Sequence, residues 1–269
     1  MQDFEFCPAH SLEQAVAWLR DGVDSKLLAG GQTLLGAMKL GLAAPQRLID
    51  LGGIDTLALG SDLGNGEYVF GAMQTHDSLA VDPWLRSKLP GLAQLAGQIA
   101  DQQVRNRGTL GGSLANDDPA ACWPAGVLAL GATLRTDRRQ IAADAFFTGL
   151  FSTALEPDEI LCSAQLARPR RMAYLKFEQP ASRFALVGAA VAQFDDRVRV
   201  ALTGTAQGAV RLPEFERVLQ RRFAPDAVAS LRVEVALMSS DLHAEADYRA
   251  HLAGVLVART VQRALELAP

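Results

Sequence analysis

Two glycine-rich stretches carry the strongest chemical signal in the chain: Ala29-Gly30-Gly31-Gln32-Thr33-Leu34 and Arg107-Gly108-Thr109-Leu110-Gly111-Gly112-Ser113. Paired glycines let a main chain approach a ligand with no Cβ in the way, and their N–H groups can point at phosphate oxygens. A small hydroxyl residue follows each pair closely. Together the stretches suit a diphosphate held from two sides, which is what a dinucleotide cofactor requires. A nicotinamide-type unit fits less well. The first stretch has Asp50 downstream at the end of an apolar run, yet it reads G-G-Q-T-L rather than G-x-G-x-x-G. Leu34 also fills the slot where a small residue would allow close helix packing. A plain glycine turn accounts for either stretch alone but not readily for both.

Other candidate chemistry is sparse. Cys7, Cys122 and Cys162 are dispersed without a C-x-x-C, and His10, His76, His243 and His251 show no metal-ligand spacing. No zinc or iron–sulfur centre belonging to this chain is expected, so redox work would fall to an organic cofactor. The net charge of −4, with no long run of one sign, argues against a general nucleic-acid surface. No apolar stretch approaches the roughly 20 residues of a membrane helix. Met1-Gln2-Asp3-Phe4-Glu5 lacks the features of a secretory signal, which makes the cytoplasm the default expectation.

The elements that must position the two loops can be read from punctuation and periodicity. A strand at Phe4–Phe6 ends by Pro8, and Ser11-Leu12-Glu13-Gln14 forms a capping box before a helix closed by Gly22. Lys26–Ala29 is a strand entering the first loop, Leu34–Leu40 a short helix, and Arg47–Leu51 a third strand. This β-α-β-α-β order implies a small parallel sheet. Next, Thr56–Leu59 and Tyr68–Gly71 read as a hairpin turning at Gly64-Asn65-Gly66. A helix is expected from Trp84 to Ile99 before the second loop, and another from Pro119 through Leu130. Strands fit Ala132–Thr136, Gln140–Ala142 and Ile160–Leu166. Arg168-Pro169-Arg170-Arg171 is the best linker candidate. Three antiparallel strands follow, at Met172–Glu178, Leu186–Phe194 and Val198–Leu202, with helices from Pro213, from Pro225, and from about Ala244 to the end. The fold expected is α+β, with domains at 1–168 (subregions 1–55 and 56–168) and 171–269.

The loops and their flanks resemble a specific family. The resemblance rests on A-G-G-Q-T-L-L-G-A-M-K at Ala29–Lys39, G-A-M-Q-T-H at Gly71–His76 and Q-V-R-N-R-G-T-L-G-G-S-L-A-N-D-D-P-A-A at Gln103–Ala121. Glu159-Ile160-Leu161, Tyr174-Leu175-Lys176-Phe177 and P-E-F-E-x-x-L after Arg211 add to it. The chain resembles the FAD-binding medium subunit of molybdenum-containing hydroxylases, the family of the carbon monoxide dehydrogenase flavoprotein and the xanthine dehydrogenase FAD region. That resemblance implies a two-subregion FAD domain of the vanillyl-alcohol-oxidase (PCMH) type, followed by a small α+β C-terminal domain. It implies a large partner holding the molybdenum cofactor and a small partner with [2Fe–2S] clusters, assembled as a dimer of heterotrimers. This chain would move electrons from the clusters through FAD to a terminal acceptor. A stand-alone FAD reductase of the same fold and a flavin-free structural subunit are the alternatives.

By the same resemblance, Leu28, Ala29, Gly30, Gly31, Gln32, Thr33 and Leu34 lie on the FAD pyrophosphate and its ribose. Val104, Gly108, Thr109, Gly111, Gly112 and Ser113 hold the other side by main chain and hydroxyl, and Gly71, Ala72 and Thr75 line the same cleft. Ile99 and Leu161 contact the cofactor, although core residues of a helix or strand would look the same. Asn116 and Asp118 follow the second loop. Lys176 is placed near the flavin, where a cation would stabilise the anionic reduced ring; strand alternation alone puts it on a solvated face. Where much of the family ends this run in D-P-A-A-D, the chain has Cys122. A thiol is a weak hydrogen-bonding group, so the contact to the cofactor's polyol is lost or passes to Asp117 or Asn116. Arg105 and Arg107 could brace the second loop or meet a partner. Valine at Gly31 or Gly112 is expected to block flavin retention and spare the fold.

Overall fold

The computed structural model describes residues 2–267, and its first elements are β1 (Glu5–Pro8), α1 (Leu12–Leu19), β2 (Ser25–Leu28), α2 (Leu34–Lys39) and β3 (Arg47–Asp50). The three strands form a parallel sheet in the order β1-β3-β2. The capping residues of α1 act one position apart from expectation. The Ser11 hydroxyl accepts from the Gln14 N–H, but the Gln14 side chain accepts from His10 rather than from Ser11. Ala9, Ala15, Ile49, Leu51 and Ile54 make this sheet's core, closed by Ile160 from later in the chain.

The expected strand at Thr56–Leu59 is instead a tight helical turn at Asp55–Ala58. Ile54 and Leu57 are both buried and lie three residues apart, a spacing that one helical turn brings to one side. The hairpin follows as β4 (Gly60–Asp62) and β5 (Glu67–Gly71). After it come α3 (His76–Val81), α4 (Pro83–Lys88), α5 (Pro90–Gly97), α6 (Gln102–Arg105), α7 (Leu110–Asn116) and α8 (Cys122–Leu130). The single helix expected over 84–99 is thus two. Pro90 has no N–H to continue α4 and starts a new helix at its first turn. Every residue of α8 is buried, as its all-round apolar sequence requires.

Next are β6 (Thr133–Thr136), β7 (Gln140–Ala142), α9 (Ala143–Phe146), β8 (Phe147–Gly149), β9 (Ser152–Thr153) and β10 (Leu161–Ala167). They complete an antiparallel sheet, β4-β5-β10-β6-β7, and a small hairpin, β8-β9. From β11 (Arg171–Glu178) the chain makes a four-stranded meander with β12 (Ala185–Gln193), β13 (Val198–Thr205) and β14 (Gly208–Arg211). The short β14 escaped the sequence pattern, and the Pro225 segment is a tight turn rather than a full helix. The last helices are α10 (Pro213–Arg221) and α11 (Ala246–Glu266). The helix expected to reach the chain end is present to Glu266; residues 268 and 269 lie outside the described residues.

The meander is covered on both faces. Val187, Ala189 and Val191 of β12 join a core with α10 and α11, while Ala190 and Ala192 join the core of α5, α7 and α8. Arg199 of β13 fastens the two units: it donates to Leu128 O at 2.9 Å and to both Asp144 oxygens at 2.7 and 2.8 Å. Among the described residues no helix is long and apolar enough to cross a membrane.

Candidate functional site: two glycine loops in contact

The first loop leaves β2, an edge strand of the parallel sheet, and enters α2. Its N–H groups from Gly30 to Thr33 donate to no acceptor among the described residues. Gln32 and Thr33 are exposed, and Thr33 sits at the start of α2 without capping it. Four consecutive unengaged donors and a free hydroxyl therefore lie together, an arrangement that favours an anion. Gly31 adopts φ +71°, so the loop needs a glycine there whatever lies beside it.

The second loop is built differently. Leu110 donates to Gln74 O, Gly111 to Ala72 O, Gly112 to the Thr109 hydroxyl and Ser113 to Thr109 O. The first turn of α7 thus spends its N–H groups within the protein, and the Thr109 hydroxyl accepts as its N-cap, which leaves its own O–H free to donate. Thr75 does the same for α3, accepting from Ser78. This modifies the expected grip by main chain from both sides: the row of unengaged N–H donors belongs to the first loop, while in Arg107–Ser113 only the Thr109 N–H lacks an acceptor among the described residues. The Thr109 N–H and the Ser113 hydroxyl are what the second adds, neither having a partner among the described residues.

The two loops touch each other. A Cβ on Gly30 would lie 2.1 Å from Arg107 O, and one on Gly112 would lie 3.5 Å from Ala29 Cβ. Gly108 has the His76 ring at 2.8 Å from its Cβ position, Gly111 has Ala72 at 2.5 Å, and Gly71 has Leu57 O at 2.2 Å. Close approach between protein segments explains these glycines directly. The proposed valine test also changes: at Gly31 the backbone itself resists valine, so only Gly112 would report on ligand space, and there a Cβ already meets Thr109 Oγ1 at 2.9 Å.

Beneath the second loop, the Trp123 indole N–H donates to His76 Nδ1 at 3.0 Å in a buried pair. Burial, with the Arg105 charge nearby, pushes the His76 pKa down to about 4, so the ring is neutral. Leu161 is buried at the start of β10, close to Ala72, whose N–H bonds the next residue's carbonyl, Cys162 O. Ile99 is half-buried against the same core. Val104 O accepts the Gly108 N–H at 2.7 Å.

Lys176 is not on a wet face. Its side chain is 2% exposed, and Nζ donates to Gln98 O at 2.8 Å and to Arg183 O, with Glu178 at 3.5 Å. Sequence alternation missed this because loop 179–184 folds over the strand. Cys122 is buried beside Tyr174, and desolvation raises its pKa, leaving a neutral, unreactive thiol. Asp118 caps its own turn, accepting from the Ala120 N–H at 2.8 Å. Asn116 is half-buried at the end of α7.

Asp117, named from the sequence only as a stand-in for position 122, is the residue the structure marks most. It is fully buried at φ +44°, and neither carboxylate oxygen has a hydrogen-bond partner among the described residues. Burial, reinforced by Asp118, raises its pKa to about 7. Its Oδ2 lies 3.4 Å from the Cβ position of Gly208, the first residue of β14.

The unengaged donors suit the diphosphate of a dinucleotide cofactor, and comparison with known proteins gives a matching class. The model for "FAD binding domain in molybdopterin dehydrogenase" matches residues 2–167, and that for "CO dehydrogenase flavoprotein C-terminal domain" matches 172–264. The chain belongs to this family, the FAD-binding medium subunits of molybdenum hydroxylases. It is 37% identical to the nicotine 6-hydroxylase medium subunit of Paenarthrobacter nicotinovorans, over 94% of each chain. It is 36% identical to the carbon monoxide dehydrogenase medium chain of Hydrogenophaga pseudoflava, over 97% of this chain and 96% of that one. Among solved structures, the reconstituted CO dehydrogenase from Oligotropha carboxidovorans superposes with a TM-score of 0.89 at 30% identity, over 99% of both chains.

Proposed function

We propose that this chain holds FAD between its two glycine loops and relays electrons within a molybdenum hydroxylase. In that complex a small partner carries [2Fe–2S] clusters, a large partner carries the molybdenum cofactor, and the assembly is a dimer of heterotrimers in the cytoplasm. The observation that carries the reading is the row of unengaged donors from Gly30 to Thr33, set against a second loop in main-chain contact. Bound there, FAD supplies the chemistry of accepting and passing on electrons, while the protein supplies position and field.

Gly30, Gly31, Gln32 and Thr33 would hold the diphosphate by N–H and hydroxyl, and Ser113 would reach it from the second loop. Ile99 and Leu161 would offer apolar surface, and Lys176 a desolvated positive charge. The division at 168–171 would separate the cofactor domain from a C-terminal domain whose sheet packs against α8. Carbon monoxide dehydrogenase and nicotine hydroxylase relatives act on very different molecules, which fits a substrate chosen by the large partner. The test is to incubate the purified chain with FAD, desalt it, and identify heat-released cofactor by chromatography. Equimolar FAD supports the reading. A folded but colourless protein, still colourless when purified with its native partners, would favour a structural subunit instead.

A further inference from the structure

The turn just before α6 is held by an unusual concentration of cations. Ala100 has φ +43°, a left-handed conformation that side-chain-bearing residues disfavour. Three successive carbonyls around it are all engaged. Lys176 Nζ donates to Gln98 O at 2.8 Å, and Arg105 Nη1 donates to both Ile99 O at 2.9 Å and Ala100 O at 2.8 Å. Arg183 Nη1 adds a longer contact to Ala100 O at 3.4 Å. Arg105 also donates through Nη2 to the Gln102 side chain at 2.9 Å. A guanidinium nitrogen can serve two neighbouring carbonyls while its twin holds a third acceptor, which an ammonium on a flexible stem does less rigidly.

Arg105 belongs to α6, and α6 anchors the second glycine loop, since Val104 O accepts the Gly108 N–H at 2.7 Å. One four-residue helix therefore clamps the left-handed turn on one side and the cofactor loop on the other. We propose that Arg105 is a positioning residue of the cofactor site, holding Ile99 and the second loop in one fixed register. This rests on the FAD reading above. Without the clamp, Ala100 relaxes toward an ordinary right-handed or extended conformation. The apolar surface at Ile99 then moves relative to the loops.

The experiment compares FAD affinity of the full chain, purified with its native partners, in the wild type, Arg105→Gln, Ala100→Gly and the double variant. Arg105→Gln should weaken FAD retention about tenfold. Adding Ala100→Gly should recover most of that loss, because glycine adopts the left-handed turn unaided. Should Arg105→Gln fail to fold, Arg105→Lys decides: it keeps the charge and should still lose affinity, and wild-type affinity in it overturns the proposal. An unchanged affinity in folded Arg105→Gln overturns it too. So does a loss that Ala100→Gly leaves untouched, since that would assign the arginine a role other than shaping the turn. Absence of FAD from the wild type would remove the FAD reading itself, whereas FAD-replete wild type with indifferent variants removes only this inference.

Discussion

Gly30 and Gly36 are neighbours in sequence with opposite demands. A Cβ at Gly30 would sit 2.1 Å from Arg107 O, whereas one at Gly36, within α2, would meet nothing within 4 Å. Gly30→Ala should therefore force the loops apart, costing roughly 1–3 kcal/mol and FAD retention. Gly36→Ala should stabilise the chain by up to about 1 kcal/mol and leave FAD in place. Paired denaturation and FAD stoichiometry check both. His76 and Asp117 form a second instructive pair. His76 has its pKa lowered to about 4 from 6.5, so the unfolded chain binds that proton more tightly and stability rises with pH across that window. Asp117 has its pKa raised to about 7 from 3.8, so the folded chain binds its proton more tightly and stability falls as pH rises between those values. The two slopes oppose each other, and each is worth about 3–4 kcal/mol at most. Asp117→Asn should unmask a stability that rises from pH 4.5 to 7.5. His76→Asn should unmask the reverse, and urea denaturation at both pH values would show it.

At the level of elements, the β6–β7 hairpin is tied to the start of β10 by one buried carboxylate. Glu159, with its side chain fully buried, receives Arg139 Nε at 2.8 Å and Nη2 at 2.7 Å, Thr136 Oγ1 at 2.7 Å and the Glu156 N–H at 3.0 Å. The Arg139 guanidinium above all holds its pKa down to about 2, so the stability it contributes is complete above pH 4.5 and lost as pH falls toward 2. Glu159→Gln should cost about 3 kcal/mol at pH 7 and flatten the acid limb of a pH–stability curve below 4.5. Glu159 was visible in the sequence through Glu159-Ile160-Leu161, but its partner was not. Arg139 lies on a hairpin whose register no local pattern states. The same divide runs through the site. Both glycine loops were legible because glycine pairs and their strand and helix flanks are local features. The burial of Lys176 was not, because it depends on Gln98 and Arg183 closing over it from distant segments. The breaks at Asp55–Ala58 and Pro90 show local rules competing, with helical spacing defeating a strand pattern and a missing N–H defeating a helical one.

Across the whole molecule, the four-stranded sheet is the joint between the loop-bearing unit and the C-terminal helices. Along β12 alternate side chains enter different cores, and the face toward α8 carries alanines: Ala190 and Ala192, with Ala201 on β13 and Ala209 on β14 beyond it. Small side chains there let α8 lie close. Ala190→Leu or Ala192→Leu should cost roughly 1–3 kcal/mol by overpacking against it, while Val191→Ala on the opposite face should cost a similar amount by leaving a void under α11. Thermal denaturation of the three variants checks both directions. The alternation has a consequence for descent as well. Successive codons of one strand answer to two separate sets of neighbours. Drift in the C-terminal helices should therefore bear on every second position of β12, and the positions between should vary with the helix that carries Cys122.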